Sequence, residues 1–264
     1  MRVTLLGTGA SAGVPMIGGP DGRGDWGVCD PHEPRNIRSR ASILIEGAET
    51  GQGGLLVDTG PDLRTQLLAN GVRLVDAIVY THAHADHISG LDDVRILNRL
   101  ADRPLDIHAT QVTLDDLRRR FDYAFRPWTP PHFFRPVLTP HPVVPGDVIT
   151  AGGRLVALFD QDHGFLHTLG LRVGRFGYST DAVTLDDAAF KALAGIDTWV
   201  VGCFQRTPHR THAWVDRVSE WVSRLKPRRT VLTHMGTDMD WAWLMDNLPP
   251  GIEPGFDGQV LEIN

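Results

Sequence analysis

Short apolar runs bounded by glycine, proline and aspartate recur along the chain, and each predicts a strand. The first covers residues 3–6 and closes on Gly7-Thr8-Gly9, a turn signal. Runs at 42–46, 55–58 and 77–80 predict three more strands, and the polar segment 47–54 predicts an exposed hairpin turn. In the second half, 155–159, 168–173, 175–178, 199–201, 230–232 and 260–263 carry the same signature. Helices are predicted at 61–70, 113–125, 186–193 and 214–225. The first of these opens on Pro61 and acidic Asp62 and stops before Gly71. Two stretches read as irregular: 13–38, rich in glycine, proline and aspartate, and 126–145, rich in proline and aromatic residues. Long loops of this kind are often functional. Strands mixed with hairpins and crossover helices predict an α/β fold of two mixed sheets with helices outside. No repeat, low-complexity segment or linker interrupts the pattern, so residues 1–264 read as a single domain.

Composition changes this picture only by exclusion. With 264 residues and 42% hydrophobic positions, the chain can bury a large core without disulfide staples. It has 26 basic and 32 acidic residues, net −6, and no basic stripe, which argues against a long nucleic acid as partner. The basic clusters Arg118-Arg119-Arg120 and Lys226-Pro227-Arg228-Arg229 are short and read as solvated helix ends and loops. Two cysteines, Cys29 and Cys203, make no disulfide framework and suit a reducing cytoplasm. The start of the chain lacks the pattern of a secretory signal, and no apolar run approaches the ~20 residues of a membrane span. A cytoplasmic protein without membrane contact is the expectation.

Chemistry is concentrated in Thr81-His82-Ala83-His84-Ala85-Asp86-His87. Neutral imidazole and carboxylate are the donors that suit zinc, iron and manganese. The segment follows the strand at 77–80. A loop there can turn His82 and His84 toward one point. Asp86 and His87, at the start of the next helix, can face a neighbouring one. One segment can thus serve two metal ions.

This His-x-His-x-Asp-His pattern resembles the signature of the metallo-β-lactamase superfamily. The resemblance extends over nearly the whole chain. Asp58-Thr59-Gly60 looks like the family's strand-end aspartate motif, Asp162-His163-Gly164 like its third-histidine motif, and Tyr178-Ser179-Thr180-Asp181 like the strand ending in a bridging aspartate. Leu232-Thr233-His234 resembles the terminal strand and last histidine. The resemblance implies a four-layer αββα sandwich with its site at one edge of the sheets. It implies two divalent ions, Zn2+ or Mn2+. His82, His84 and His163 would hold one ion, and Asp86, His87 and His234 the other. Asp181 would bridge them, and Asp58 would orient the ligand loop from behind. His84 stands where di-iron redox members carry Glu, which favours hydrolysis. Asp181 stands where no Cys is found, which disfavours the antibiotic-degrading lactamases.

Within the superfamily, the opening Leu6-Gly7-Thr8-Gly9-Ala10-Ser11-Ala12-Gly13-Val14-Pro15, the stretch Arg38-Ser39-Arg40-Ala41-Ser42 and His209-Arg210-Thr211-His212 resemble the phosphoribosyl cyclic phosphodiesterase, or PhnP-type, group. That group implies His212 as general acid and a homodimer. Several cysteines in its early loop often hold a structural zinc. This chain keeps only Cys29 there, near His32, short of the four ligands such a zinc wants. Its absence is the expectation, with Cys29 a small packing residue or a pocket liner.

The mechanism implied is in-line attack at phosphorus by a hydroxide bridging two ions ~3.5–4 Å apart. Asp86 would orient it, and His212 would protonate the departing alkoxide, which is typically worth ~10²–10⁴-fold. The substrate class is a cyclic phosphate or small nucleotide. Arg38, Arg40 and Arg206 are candidate phosphate or base contacts. Phe125, Trp128, Phe133 and Phe134 are candidates to wall a pocket or a dimer contact. Alternatives are an RNA 3′-processing endonuclease, a thioester hydrolase of the glyoxalase II type, and a non-catalytic protein resembling the pyrroloquinoline-quinone B component. The negative charge and the lack of a basic arm weigh against the first. The opening loop and His212 weigh against the second, and a complete ligand set against the third.

Overall fold

Alternation inside the apolar runs decides the architecture. The computed structural model describes residues 1–49 and 53–263. Its strands form two seven-stranded mixed sheets. The first contains β1 (Arg2–Gly7), β2 (Ser42–Ile45), β3 (Leu55–Val57), β4 (Ala77–Val79), β5 (Leu105–Ala109), β6 (Leu138–Pro142) and β14 (Val260–Glu262), in the order β14-β1-β2-β3-β4-β5-β6. The second contains β7 (Val148–Ala151), β8 (Arg154–Asp162), β9 (His167–Val173), β10 (Phe176–Ser179), β11 (Thr198–Gly202), β12 (Arg229–Thr233) and β13 (Ile252–Pro254), in the order β13-β12-β11-β10-β9-β8-β7. Both sheets run antiparallel in one half and parallel in the other, from β3 to β6 and from β10 to β13.

Successive residues of a strand point to opposite faces. Leu55, Val57, Ala77 and Val79 therefore face inward, against Leu169, Leu171, Phe176, Tyr178 and Val200 of the second sheet. Leu56, Ile78 and Tyr80 face outward and are covered by α1 (Leu63–Ala69), α3 (Val94–Ala101) and α4 (Gln111–Arg120). On the other side Trp199, Val201 and Leu232 lie under α5 (Asp187–Leu193), α6 (Val215–Leu225) and α7 (Trp241–Asn247). The short α2 (Ala85–Ile88) belongs to the site described below. Strands buried on both faces need no polar alternation, which is why they read as continuous apolar runs. The result is an αββα sandwich. Among the described residues no helix is long and apolar enough to cross a membrane.

The structure departs from the sequence reading in a few places. The segment 126–145 is not wholly irregular, because it contains β6, which carries Pro140 and Pro142. β6 is an edge strand, where a missing N–H is tolerated. The helix predicted at 113–125 begins at Gln111, since Thr110 caps it through Thr113 N (3.3 Å), and gives way to a 3-10 turn at Asp122–Phe125. The predicted turn at 47–54 lies in part outside the described residues.

Candidate metal centre

Every residue of the predicted cluster leaves the end of a strand or the turn after it. Asp58 follows β3 directly, His82 lies three residues past the end of β4, His163 follows β8 directly, Asp181 lies two residues past the end of β10, and His234 follows β12 directly. Apart from β8, which is antiparallel to both neighbours, these strands belong to the parallel halves of the sheets, and ligand sites in open α/β sheets lie at the carboxyl ends of such strands. The loop after β4 runs directly into α2, which supplies Asp86 and His87. Two glycines let α2 approach: a methyl on Gly60 would overlap the Asp86 carbonyl oxygen, and one on Gly90 would overlap that of Gly60. The backbone bonds Thr59 N–H to His87 O (2.7 Å) and Gly90 N–H to Thr59 O (2.8 Å) close the contact.

The seven residues converge. His82, His84 and His163 offer three ring nitrogens within 4.8 Å of one another, as do the donor atoms of Asp86, His87 and His234. Asp181 completes groups with His82 and His87 and with His163 and His212. His87 Nε2 lies 3.0 Å from Asp181 and 3.2 Å from Asp86. His234 Nε2 lies 3.2 Å from Asp181 and 3.4 Å from Asp86.

Hydrogen bonds behind the cluster aim it. Asp58 is fully buried. It accepts from Thr81 N–H (2.8 Å), Thr81 Oγ1 (2.8 Å) and His87 Nδ1 (2.7 Å). His163 Nδ1 donates to Thr211 O (2.6 Å). Thr180 Oγ1 donates to Asp181 Oδ2 (2.8 Å). With each Nδ1 so used, Nε2 is left as the inward donor. The sequence reading overlooked Thr81, Thr180 and Thr211, although each directly precedes a cluster histidine or aspartate.

Electrostatics prepares the same groups for a cation. Burial lowers the proton affinity of His82 well below the ordinary histidine value, lowers His84, and pushes His163 down to about 4. Their lone pairs are therefore free at neutral pH, as metal ligation requires. Burial opposes charge on His87 too, but the carboxylates of Asp181 and Asp58 outweigh it and raise the imidazole. Burial would raise Asp86 and Asp181, yet the histidines around them hold both well below the carboxylate range. The buried Nε2 atoms of His82 and His87 have no hydrogen-bond partner. Orphaned buried nitrogens beside ionised carboxylates are the donor set of a metal site, and the residues suit metal ions.

The cluster opens into a cleft of about 270 Å³ lined by His84, Asp86, His163 and Asp181, with Ser11, Phe165, Leu166, Thr211 and His212. His212 Nε2 lies 3.0 Å from Asp181 Oδ1. None of the three candidate arginines lines this cleft. Arg38 is buried between Cys29 Sγ (3.9 Å) and Asn36 Oδ1 (3.1 Å), Arg40 pairs with Asp62 (3.0 Å), and Arg206 lies over the Trp243 ring (3.9 Å). Nor do the insertion aromatics line it; Trp128 stacks on Phe133 at 4.4 Å, and Phe134 is exposed. Cys29 Sγ lies 3.9 Å from the Arg38 guanidinium, and among the described residues no group of three metal-ligating side chains includes it.

Two mixed sheets with such a cluster at their carboxyl edge define the metallo-β-lactamase fold. Residues 54–235 match the model of the β-lactamase superfamily domain, and the chain belongs to that superfamily. A solved structure described as a new diphosphatase from the PhnP family superposes with a TM-score of 0.88 at 33% identity, covering 100% of this chain and 98% of that one. Zn(2+)-bound PqqB from Methylobacterium extorquens superposes with a TM-score of 0.76 at 18% identity over 100% of both chains, a likeness of fold alone. An octanoyltransferase of Porphyromonas gingivalis is 30% identical over 260 residues, 98% of this chain and 51% of that protein. The chain thus spans about half the length of this curated relative, and its match to a coenzyme PQQ synthesis protein B of Methylobacterium radiotolerans, 29% identical over 139 residues, covers 42% of that protein.

Proposed function

We propose that the protein is a phosphodiesterase that binds two divalent ions, zinc or manganese, and hydrolyses a cyclic phosphate or small nucleotide. The observation that carries this reading is the position of Asp181. It shares ligand groups with both sets of histidines, while His212 reaches its Oδ1 from the open cleft. His82, His84 and His163 would hold one ion, Asp86, His87 and His234 the other, and Asp181 both. When bound, the ions supply Lewis acidity and lower the pKa of the attacking water. Asp58 keeps the His87 proton on Nδ1, so that Nε2 can act as a ligand. Asp86, on the cleft wall, orients the attacking water through a carboxylate oxygen. His212 hands a proton from Nε2 to the departing alkoxide. The diphosphatase neighbour, similar over the full chain, supports phosphorus as the centre attacked. The cleft of about 270 Å³ and the net charge of −6 favour a small substrate over a long nucleic acid. A homodimer and a cytoplasmic setting complete the proposal.

The test is hydrolysis of bis(p-nitrophenyl) phosphate by chelator-stripped protein reloaded with zinc or manganese, with metal counted in parallel. Activity appearing with about two ions per chain supports the reading. Two ions without activity would move it to another ester. Asp181→Ala should lose most bound metal, and full occupancy in that variant would overturn the ligand set.

A further inference from the structure

His212 is held by its own small network. We infer that His209, together with Thr211, is a positioning residue that fixes the ring of His212 and keeps its resident proton on Nδ1, so that Nε2 is the nitrogen presented to the leaving group. This rests on the reading of His212 as the acid.

The argument runs through three atoms. The backbone N–H of Thr211 donates to His209 Nδ1 at 3.4 Å, so that nitrogen carries the lone pair. His212 Nδ1 faces the same lone pair at 3.2 Å and the Thr211 hydroxyl oxygen at 2.9 Å. The His209 lone pair can only accept, so a hydrogen bond between the two rings requires that His212 Nδ1 bear the hydrogen, with the Thr211 hydroxyl oxygen as a second acceptor. His212 is therefore left with Nε2 toward the cleft, 3.0 Å from Asp181 Oδ1. The Phe204 ring packs against both imidazoles, at 4.9 Å from His209 and 5.0 Å from His212, and fixes their spacing. Thr211 also ties this network to the metal centre, because its carbonyl receives the His163 Nδ1 hydrogen. A misplaced acid costs rate even when its chemistry is unchanged.

The experiment compares two esters that differ only in leaving group, methyl phenyl phosphate and methyl p-nitrophenyl phosphate, on metal-loaded protein. His209→Ala should lower kcat for the phenyl ester about 10-fold more than for the p-nitrophenyl ester, in the range for loss of a histidine's orienting partner. KM and metal content should change little. His209→Asn places an amide oxygen near the lost Nδ1 and should recover most of the difference. Equal slowing of both esters, no slowing, or no recovery in the Asn variant would overturn the inference. Should the Ala variant fail to fold, His209→Gln, whose oxygen lies one bond too far, replaces it against Asn. His212→Ala is run alongside. If it shows the leaving-group dependence and His209→Ala does not, only the positioning role fails. If it shows none, the general-acid reading fails and the positioning role with it.

Discussion

Asp58→Asn tests what a buried carboxylate does for a ligand without altering any ligand. The Asp58 backbone has φ 65°, a left-handed conformation that asparagine tolerates about as well as aspartate and alanine does not. The amide is nearly the same shape and can keep its oxygen on the Thr81 N–H, which bonds to Oδ1. The change falls on Oδ2, the oxygen that accepts from both Thr81 Oγ1 and His87 Nδ1. An NH2 group there faces a donor in a site with no access to water. The least costly relief is for His87 to move its hydrogen to Nε2. That nitrogen sits 3.0 Å from Asp181 and 3.2 Å from Asp86, and once protonated it is no longer a ligand. Loss of such a carboxylate–histidine pair costs ~10–100-fold in metal affinity, or about 1.4–2.7 kcal/mol at 1.36 kcal/mol per tenfold. Competition against a chromophoric chelator, followed ion by ion, reads this directly. One of the two dissociation constants should weaken by that factor. The ion on His82, His84 and His163 should move far less. Wild-type affinity for both ions in Asp58→Asn would refute the reasoning.

Other perturbations test separate parts of the structure. Burial pushes the carboxyl of Asp257 up to about 6, although Thr8 and Ser39 donate four hydrogen bonds to it. Its folded value exceeds the ~3.9 of an unfolded aspartate, so its contribution to stability is full below pH ~4 and is lost as pH rises through about 6. Urea melts of metal-free protein from pH 4 to 7 should show a decline of up to about 3 kcal/mol that Asp257→Asn lacks; equal slopes would count against the assignment. Arg38→Met removes a buried guanidinium from Asn36 and Cys29 and should cost about 2–3 kcal/mol, with Cys29→Ser costing clearly less. Equal losses, or a third tightly held zinc per chain, would show that the early loop is not fastened by Arg38. Gly90→Ala forces a methyl against the Gly60 carbonyl and should cost about 1–3 kcal/mol together with affinity for the ion at Asp86 and His87; a wild-type melting temperature would be the contrary result.

How far the fold could be read in advance depended on which faces each element buries. β3 and β4, Leu-Leu-Val and Ala-Ile-Val, are covered on both sides, so their sequences are apolar throughout and the expected strands are found. β5 was missed because Leu-Asp-Ile-His-Ala mixes polar residues into a central strand, where His141 Nε2 lies 2.8 Å from Asp106 and stacks on His108. β6 was missed because its prolines are acceptable only at a sheet edge, a fact of topology rather than of local sequence. Within the site, the residues implied by the family resemblance are those the strand ends bring together. The partners that aim them escaped notice. Threonines 81, 180 and 211 have no unusual composition, and their meaning appears only when a neighbouring ring turns toward them. The arginines failed for the opposite reason. Their charge suggested phosphate, but Arg38 and Arg40 are bound to nearby side chains and do not line the cleft.

The backbone at the strand ends shows why these positions and no others carry the cluster. Asp58, Asp181 and His234 are non-glycine residues with positive φ, at 65°, 50° and 55°. Among the described residues the two others, Asp102 and Lys226, end helices α3 and α6, an ordinary place for a left-handed residue. The three at the site end β3, β10 and β12 instead. A left-handed residue there turns the chain sharply, so the side chain crosses the edge of the sheets rather than continuing into either face. That turn costs of order 1 kcal/mol or more for each residue. Three hydrogen bonds to Asp58 and the Thr180 hydroxyl bond to Asp181 offset part of it. His234 has no such compensation, and its buried Nδ1 is unpartnered. Its Nε2 instead faces both Asp86 and Asp181. A strained histidine whose remaining polar contacts are two ionised carboxylates is poorly explained by folding alone. It is well explained if a cation normally sits among those three groups, because the ion then supplies the stabilisation that the backbone turn and the carboxylate pair lack.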